Sequence, residues 1–391
     1  MELIHRGFDK LEVSFKAGLP TKVASKFEHA KNSAAQTEVP ALLEINGIKF
    51  NVAASGMLGG YAYRGNTGQY GEDWWFKKKT TQKDAWGIRV RVSSIRIALR
   101  GWNETKQRLI ATLEALGITV QWHEVSIARV DFAMDFLAPQ FEPVSANFVM
   151  GHRFKRNQHA ITTEWLEAGR TDRVETITVG KMPGRQLQIY DKRAEVMAKR
   201  DQIWFEVFNW KREKEGKPKI DFSVADQSRI WRIELRAGKK HLKDDWKLAT
   251  WAQVEGTAQR MFRGMLRDVR YVVPSSTDHN RSRWPLHPIW NAAHDALKGD
   301  LFGLTTDIPE EHIQEIELAH WEDMIRAQIA GSVISMGARR NISPENFDDF
   351  AARQLAGVLD AYSENKSETK KKLAKAGRKY GLLSKGEPEH V

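Results

Sequence analysis

Apolar and polar residues alternate along several stretches of this chain with the period of two that marks a half-buried strand. Leu11–Phe15 (LEVSF) reads this way, and so does Ala41–Val52 around an Asn46–Gly47 turn. Trp86–Arg100 is strand-like too, with Ile88, Val90 and Val92 between Arg89 and Arg91. In Ser126–Phe136 one face is Val130, Phe132, Met134 and Phe136, and the other is Arg129, Asp131, Ala133 and Asp135. In Arg229–Arg236, Trp231, Ile233 and Leu235 oppose Arg232, Glu234 and Arg236. Gly180 and Pro183–Gly184 split Glu175–Arg193 into a hairpin. Its second strand puts Gln186, Gln188 and Tyr190 on one face, Leu187 and Ile189 on the other.

Helical spacing takes over elsewhere. Leu109, Leu113 and Leu116 predict a helix from an Asn103 N-cap to Gly117. Further helices are expected over Ala194–Glu215 and 243–267, with a short strand at Arg270–Val273. PSSTDHNRS (274–282) reads as a linker, and three helices are expected beyond it, after Pro288, Pro309 and Ser343–Pro344. The expectation is an α+β chain: a largely antiparallel sheet domain flanked by helices (1–273), a linker (274–282) and a helical C-terminal region with a basic tail (283–391).

Composition narrows the chemistry. The 391 residues carry a formal net charge of +11, which favours a polyanionic partner such as nucleic acid. There is no cysteine, so disulfides, thiolate nucleophiles and Cys-ligated zinc are excluded. No apolar run is long enough to span a bilayer, and no membrane partner and a cytoplasmic location are expected. The glycine-rich segment Gly56–Gly71 lacks a phosphate-loop pattern and reads as turns, or as a loop whose Tyr61, Tyr63 and Tyr70 stack on unpaired bases. Trp74 and Trp75 beside lysines in Glu72–Lys79 admit the same two readings, packing or base stacking. The run Lys366–Lys385 is strongly basic, either a solvated tail or a contact to a DNA backbone.

Aspartate is depleted in strands, so two at i and i+4 on the polar face of one strand need a reason. Cross-strand ion pairs on a solvated sheet give one. A reactive site gives another, because a second strand presents Tyr190 and a third Glu234. A phenol, with a pKa near ~10, is a poor nucleophile at neutral pH unless cations or a metal stabilise its phenolate. Lys181, Arg185, Lys192 and Arg193 surround Tyr190 in sequence. No His-hydrophobic-His or His-Glu-x-x-His pattern is present, so a divalent ion would fall to Asp131, Asp135 and Glu234, hard oxygen ligands suited to Mg²⁺ or Mn²⁺.

The order RVDFAMD, TVGKMPGRQLQIYDKR, WRIELR resembles the replication initiation factor family of rolling-circle initiators. The matching positions are Arg129, Asp131, Ala133 and Asp135; Thr176 and Gly180; Ile189, Tyr190, Asp191 and Lys192; then Arg232 and Glu234. The chain departs from the family in its GKMPG segment. The resemblance covers the central third and implies site-specific nicking and rejoining of origin DNA. Tyr190 would become linked to a 5′ phosphate and release a 3′ hydroxyl. Lys192 and Arg185 would stabilise the phenolate, while Arg129, Lys181, Arg193, Arg232 and Arg236 would face the DNA. Single-stranded or melted origin DNA, a host helicase, a DNA polymerase and a second copy of the chain are the partners it implies. Three other readings stay open: a non-catalytic origin-binding protein, a metal nuclease in which water attacks, and a relaxase of a mobile element.

Overall fold

The computed structural model describes residues 1–68, 70–78, 86–150, 165–170 and 173–380. Lys79 and residues 381–385, both in segments singled out above, lie outside the described residues. In chain order the first unit contains β1 (Glu2–Phe15), α1 (Thr21–Thr37), β2 (Ala41–Ile45), β3 (Ile48–Val52), β4 (Tyr61–Asn66), β5 (Glu72–Lys77), β6 (Ile88–Val92), α2 (Ser94–Ala115) and β7 (Val125–Leu137). It continues through β8 (Phe148–Met150), β9 (Trp165–Arg170), β10 (Arg173–Gly180), β11 (Arg185–Asp191), α3 (Lys192–Lys199), α4 (Ile203–Lys214) and β12 (Ile230–Gly238). It closes with α5 (Trp251–Glu255), α6 (Ala258–Asp268), β13 (Val269–Tyr271) and α7 (Pro288–Ala296).

Among the described residues, eleven strands form one antiparallel sheet in the order β2-β3-β4-β5-β6-β1-β7-β12-β11-β10-β9. The expected α+β class holds, and the strands carrying the acidic pair, Glu234 and Tyr190 are consecutive in it. The alternation decides what each face does. Val130, Phe132, Met134 and Phe136 of β7 point to the same side as Trp231, Ile233 and Leu235 of β12, and all are buried in the main core. Helices α1, α2, α6 and α7 contribute Phe27, Trp102, Phe262 and Trp290 to that core. The other face keeps the charged residues.

Strands β1 and β7 keep this division by three register shifts. Leu3 pairs with Phe136 and His5 with Asp135, so Ile4 is extra; Phe8 pairs with Phe132 and Lys10 with Asp131, so Asp9 is extra. Glu12 pairs with Arg129 and Val13 with Ile127, which makes Ala128 the extra residue on β7. Bulges of this kind put one unpaired residue into a strand and re-aim its neighbours.

Several expected boundaries move. The strand read over Trp86–Arg100 ends at Val92, because Ser93 accepts from Arg96 N and caps α2. The alternating SIRIALR run obeys helical spacing equally well, burying Ile95, Ala98, Leu99 and Trp102. Gly101 interrupts the helix (φ 69°, ψ 179°), which is why Asn103 reads as a fresh start. A Cβ there would lie 2.6 Å from the Leu304 carbonyl oxygen. The helix expected over Ala194–Glu215 is two, α3 and α4, parted at Arg200 with its left-handed φ of 56°. The stretch 243–267 breaks into a π-turn at His241–Asp245 followed by α5 and α6. The Gly56–Gly71 segment contains β4, and Tyr63 is core, its hydroxyl donating to Glu28 at 2.7 Å.

The linker at 274–282 does not separate domains. Val273 and His287 bond Pro285 and Tyr271 across it, and α7 buries Ile289, Trp290 and Ala293 in the core of the first unit. The first unit is Met1–Ile308 and the second Pro309–Val391. The Pro/Ser-rich composition of 274–282 marks a surface excursion between β13 and α7. The second unit is helical, as expected, with α8 (Glu310–Arg339), α9 (Phe347–Glu364) and α10 (Lys366–Tyr380), the last covering most of the basic run.

A chain ending at Ile308 is expected to melt close to the temperature of the first unit in the full chain. A chain ending at residue 282 loses Ile289 and Trp290, each worth about 2–5 kcal/mol as a buried side chain, and its melting midpoint should fall by more than 10 °C. Calorimetry of the two truncations decides between the boundaries.

Candidate functional site

Antiparallel pairing puts directly opposed residues on one face, so the register gives the polar surface row by row. The first row runs His5 (β1), Asp135 (β7), Arg232 (β12), Tyr190 (β11) and Thr176 (β10). The second is Gly7, Ala133, Glu234, Gln188 and Thr178, and the third Lys10, Asp131, Arg236, Gln186 and Gly180. A fourth holds Glu12, Arg129 and Gly238. Asp131, Asp135, Glu234 and Tyr190 are therefore brought onto one patch. Arg129, Arg232 and Arg236 are interleaved with them.

Arg232 is 0% exposed and is the centre of the first row. Its Nε and Nη2 donate to the two Asp135 oxygens at 2.6 and 2.7 Å, and Nη1 donates to Asp9 at 2.6 Å. His5 Nδ1 lies 2.8 Å from Asp135 Oδ2. The Trp204 ring of α4 covers this arrangement, 4.3 Å from the Arg232 guanidinium carbon and 4.4 Å from Lys192 Nζ. Lower on the face, Arg129 forks onto Asp131 at 2.6–3.1 Å and Arg236 onto Glu234 at 2.7 and 2.8 Å. Arg236 also donates to Gln186 at 3.1 Å, and Gln188 to Thr178 at 2.9 Å.

These contacts set the protonation states. Burial works against ionised Asp135, but the Arg232 charge and the bond from His5 win and hold its carboxyl well below the usual range. Asp131 goes the other way: burial, reinforced by the Glu234 carboxylate, outweighs the Arg129 fork and pushes it up to about 8. Glu234 is held below its ordinary value by Arg236 against its burial. The face thus holds one acid that keeps its proton near neutrality beside one that has lost it.

Tyr190 does not meet the expectation of a cation-stabilised phenolate. Burial first, then the Glu234 carboxylate, push its hydroxyl well above 10, and only Arg232 opposes them among the larger influences. Arg185 cannot help, because the period of two puts it on the other face, where it pairs with Asp268 at 2.5 Å. Lys192 is buried and bound to Glu195 at 2.5 Å, under Trp204. Burial and the Arg232 charge lower its pKa. Helix α3 begins two residues past Tyr190, and Asp191 caps it by accepting from Ala194 N at 2.9 Å. Lys181 stands exposed in the hairpin turn, and Arg193 reaches the Phe222 carbonyl at 2.6 Å.

The three carboxylates expected to hold a metal are already paired. Mg²⁺ or Mn²⁺ takes oxygen ligands, commonly one or two carboxylates completed by water and substrate phosphate. The Asp131, Asp135 and Glu234 oxygens are instead directed at guanidinium groups. Among the described residues no group of three or more His, Asp or Glu side chains is placed to hold a metal ion. Alternating acid and base along adjacent strands lets each carboxylate find an arginine first.

His5, Asp9 and Trp204 belong to the site and were not in the expected set. Trp204 was legible as a helix-core residue only. His5 and Asp9 lie before the point where β1 shows clean alternation, because the extra residues at positions 4 and 9 break its period.

No family model matches the chain, and no curated protein matches it. Among solved structures it is similar to one described as a rolling circle replication initiator protein from Geobacillus stearothermophilus. The identity is 17%, over 77% of this chain and 98% of that one, with a TM-score of 0.41.

The two aspartates predict opposite pH behaviour. Asp131 binds its proton more tightly in the folded chain, so its contribution to stability is full near pH ~4 and is lost as the pH rises to about 8. Asp135, with a depressed value, contributes above pH ~4 and loses that contribution below it. Urea unfolding should show Asp131→Asn gaining on the parent from pH 5 to pH 8. Asp135→Asn should cost about 3–5 kcal/mol at both, because it leaves the Arg232 charge buried with too little compensation.

Proposed function

We propose that this chain nicks and rejoins single-stranded DNA at a replication origin, with Tyr190 as the nucleophile. The observation that carries the reading is the position of Tyr190: on the polar face, next to Arg232 in the row that holds Asp135 and His5, and diagonal to Glu234. Diagonal neighbours on one face lie roughly 7–8 Å apart, within reach of a long side chain's small movement. The order of motifs in the sequence supports the same assignment.

In the proposed reaction the Tyr190 oxygen forms a bond to phosphorus while the bond from phosphorus to the 3′ oxygen breaks. The phenolic proton passes to Glu234, the ionised carboxylate of the pair, and the departing 3′ oxygen takes a proton from water. The product is a 5′-phosphotyrosine and a free 3′ hydroxyl, which a polymerase would extend once a helicase opened the duplex. A raised phenol pKa makes this a base-assisted attack rather than attack by a standing phenolate. Arg236 and Arg129, both partly exposed, are cations on this face able to meet phosphate oxygens. Because the carboxylates are committed to arginines, no step is assigned to Mg²⁺ or Mn²⁺.

A second reading is a DNA-binding protein without nicking activity. It is favoured by the same burial: Tyr190 is only 9% exposed and its carboxylate neighbours are paired.

Incubation with single-stranded oligonucleotides, with and without Mn²⁺, followed by intact-mass analysis separates the two. The nicking reading expects a protein–DNA adduct that Tyr190→Phe abolishes, with oligonucleotide affinity within about twofold of the parent. An adduct surviving in Tyr190→Phe would move the nucleophile to another tyrosine. No adduct with any strand, alongside tight binding, would establish the second reading.

A further inference from the structure

At the far end of the polar face from Tyr190 lies a cavity of about 470 Å³ that shares only Arg129 with the residues assigned to the nicking reaction. Its floor is sheet: Glu12 and Ser14 of β1, Arg89 of β6, and Ser126, Ala128 and Arg129 of β7, where Ala128 is the extra residue. Its walls are two aromatic rings, Tyr61 and Trp86, and two lysines that follow β12, Lys239 and Lys243. The hairpin turn at Met182–Pro183 closes one side and rests on Gly238, where a Cβ would lie 2.4 Å from the Pro183 oxygen.

Both aromatic rings already attract cations. Lys243 Nζ lies 5.8 Å from the Trp86 ring centre, and Lys77 Nζ 5.5 Å from that of Tyr61. Arg129 is forked onto Asp131, but the charges are unbalanced: Arg89, Lys239 and Lys243 face one lining carboxylate, Glu12, which Arg89 and Arg91 already hold at 2.6 and 3.2 Å. Burial and the nearby Lys239 charge both lower the Lys243 pKa, a crowding that an incoming anion would relieve. Rings with π-faces beside surplus cations, in a space of this size, suit a flat heterocycle carrying phosphate.

We propose that this cavity seats an unpaired nucleotide of the substrate strand, its base against Trp86 and Tyr61 and its phosphate on Arg89, Lys239 and Lys243. The proposal rests on the reading of the chain as an enzyme of single-stranded DNA, and it adds where the strand is gripped. Asp135, in the Tyr190 row, and Arg129, at the cavity, are six residues apart along β7, or roughly 20 Å at ~3.4 Å per residue. A stacked strand rising ~3.4 Å per nucleotide covers that span with about six nucleotides. The cavity therefore anchors the strand at a fixed offset from the phosphate that Tyr190 attacks.

The test is fluorescence anisotropy of labelled twelve-nucleotide dT strands on the full chain carrying Tyr190→Phe, so that binding is read without chemistry. Trp86→Ala should weaken binding about tenfold, and Trp86→Phe, which keeps a stacking face, should restore it to within threefold. The Lys239→Ala, Lys243→Ala double variant should also weaken binding about tenfold. Its plot of log affinity against log salt should be shallower by about 1.4, the loss of two phosphate contacts on a single strand. Affinities within twofold of the parent for both variants would overturn the proposal. So would equal losses on a duplex of the same length, which would make the patch a duplex-backbone contact. Adduct formation by the chain with Tyr190 intact separates this from the nicking reading. Weakened binding without any adduct leaves the cavity standing and removes the reaction, whereas an adduct with unaffected binding does the reverse.

Discussion

A guanidinium with no access to water has to find every partner inside the protein, and Arg232 fixes the site by doing so. Its charge cannot be left unpaired there without a cost of several kcal/mol, and Nε, Nη1 and Nη2 each donate to a carboxylate. Two strands and a bulge are therefore held in register by where its fork points: Asp135 on β7 takes one edge and Asp9 on β1 the end. Trp204 lies against the flat face, which guanidinium tolerates better than ammonium would. Tyr190 sits directly across the β11–β12 pair from this group, so its environment is inherited from the arginine's requirements. Burying the arginine also buries the phenol, and the phenol stays protonated as a result.

The same logic extends over the sheet. One face is apolar and supplies the core; the other is crowded with charges that are satisfied mainly by one another. Arginine is the common cation there, and three of the acids are clamped in forks. The arrangement costs desolvation that only good geometry repays. It leaves a graded surface. Near Tyr190 the charges are buried and balanced, while at the opposite end, around Arg89 and Lys243, cations are in excess and partly open. A polyanion would be drawn to the second region and reach the first only by following the strands between them.

Much of this was legible in the sequence because two-residue periodicity is strict wherever one face is core. The polar faces of β7, β11 and β12, and the hairpin bringing Tyr190 back, follow from alternation alone. What alternation could not give was partner choice. Asp131, Asp135 and Glu234 look alike in sequence, and whether such acids meet a cation in solution or a neighbouring guanidinium depends on strand order and register. Arg185 shows the opposite lesson: its odd position beside Leu187 and Ile189 already placed it on the far face from Tyr190. The domain boundary misled for a different reason. A Pro/Ser-rich stretch marks backbone that leaves regular structure, and the return of Trp290 to the core leaves no trace in local composition.

The bulge at Asp9 has a consequence for how β1 could change. Phe8 and Lys10 face opposite sides although they are two apart, since the residue between them is surplus to the pairing. Deleting Asp9 would leave unbroken alternation from His5 onward, with every remaining side chain keeping its side. Deleting Gly7 instead would turn the strand over beyond that point, setting Phe8 among the charges. Arithmetic parity, more than the nature of any one side chain, is what the strand must preserve. Asp9 is exempt from that rule, free to be spent on a single bond to Arg232.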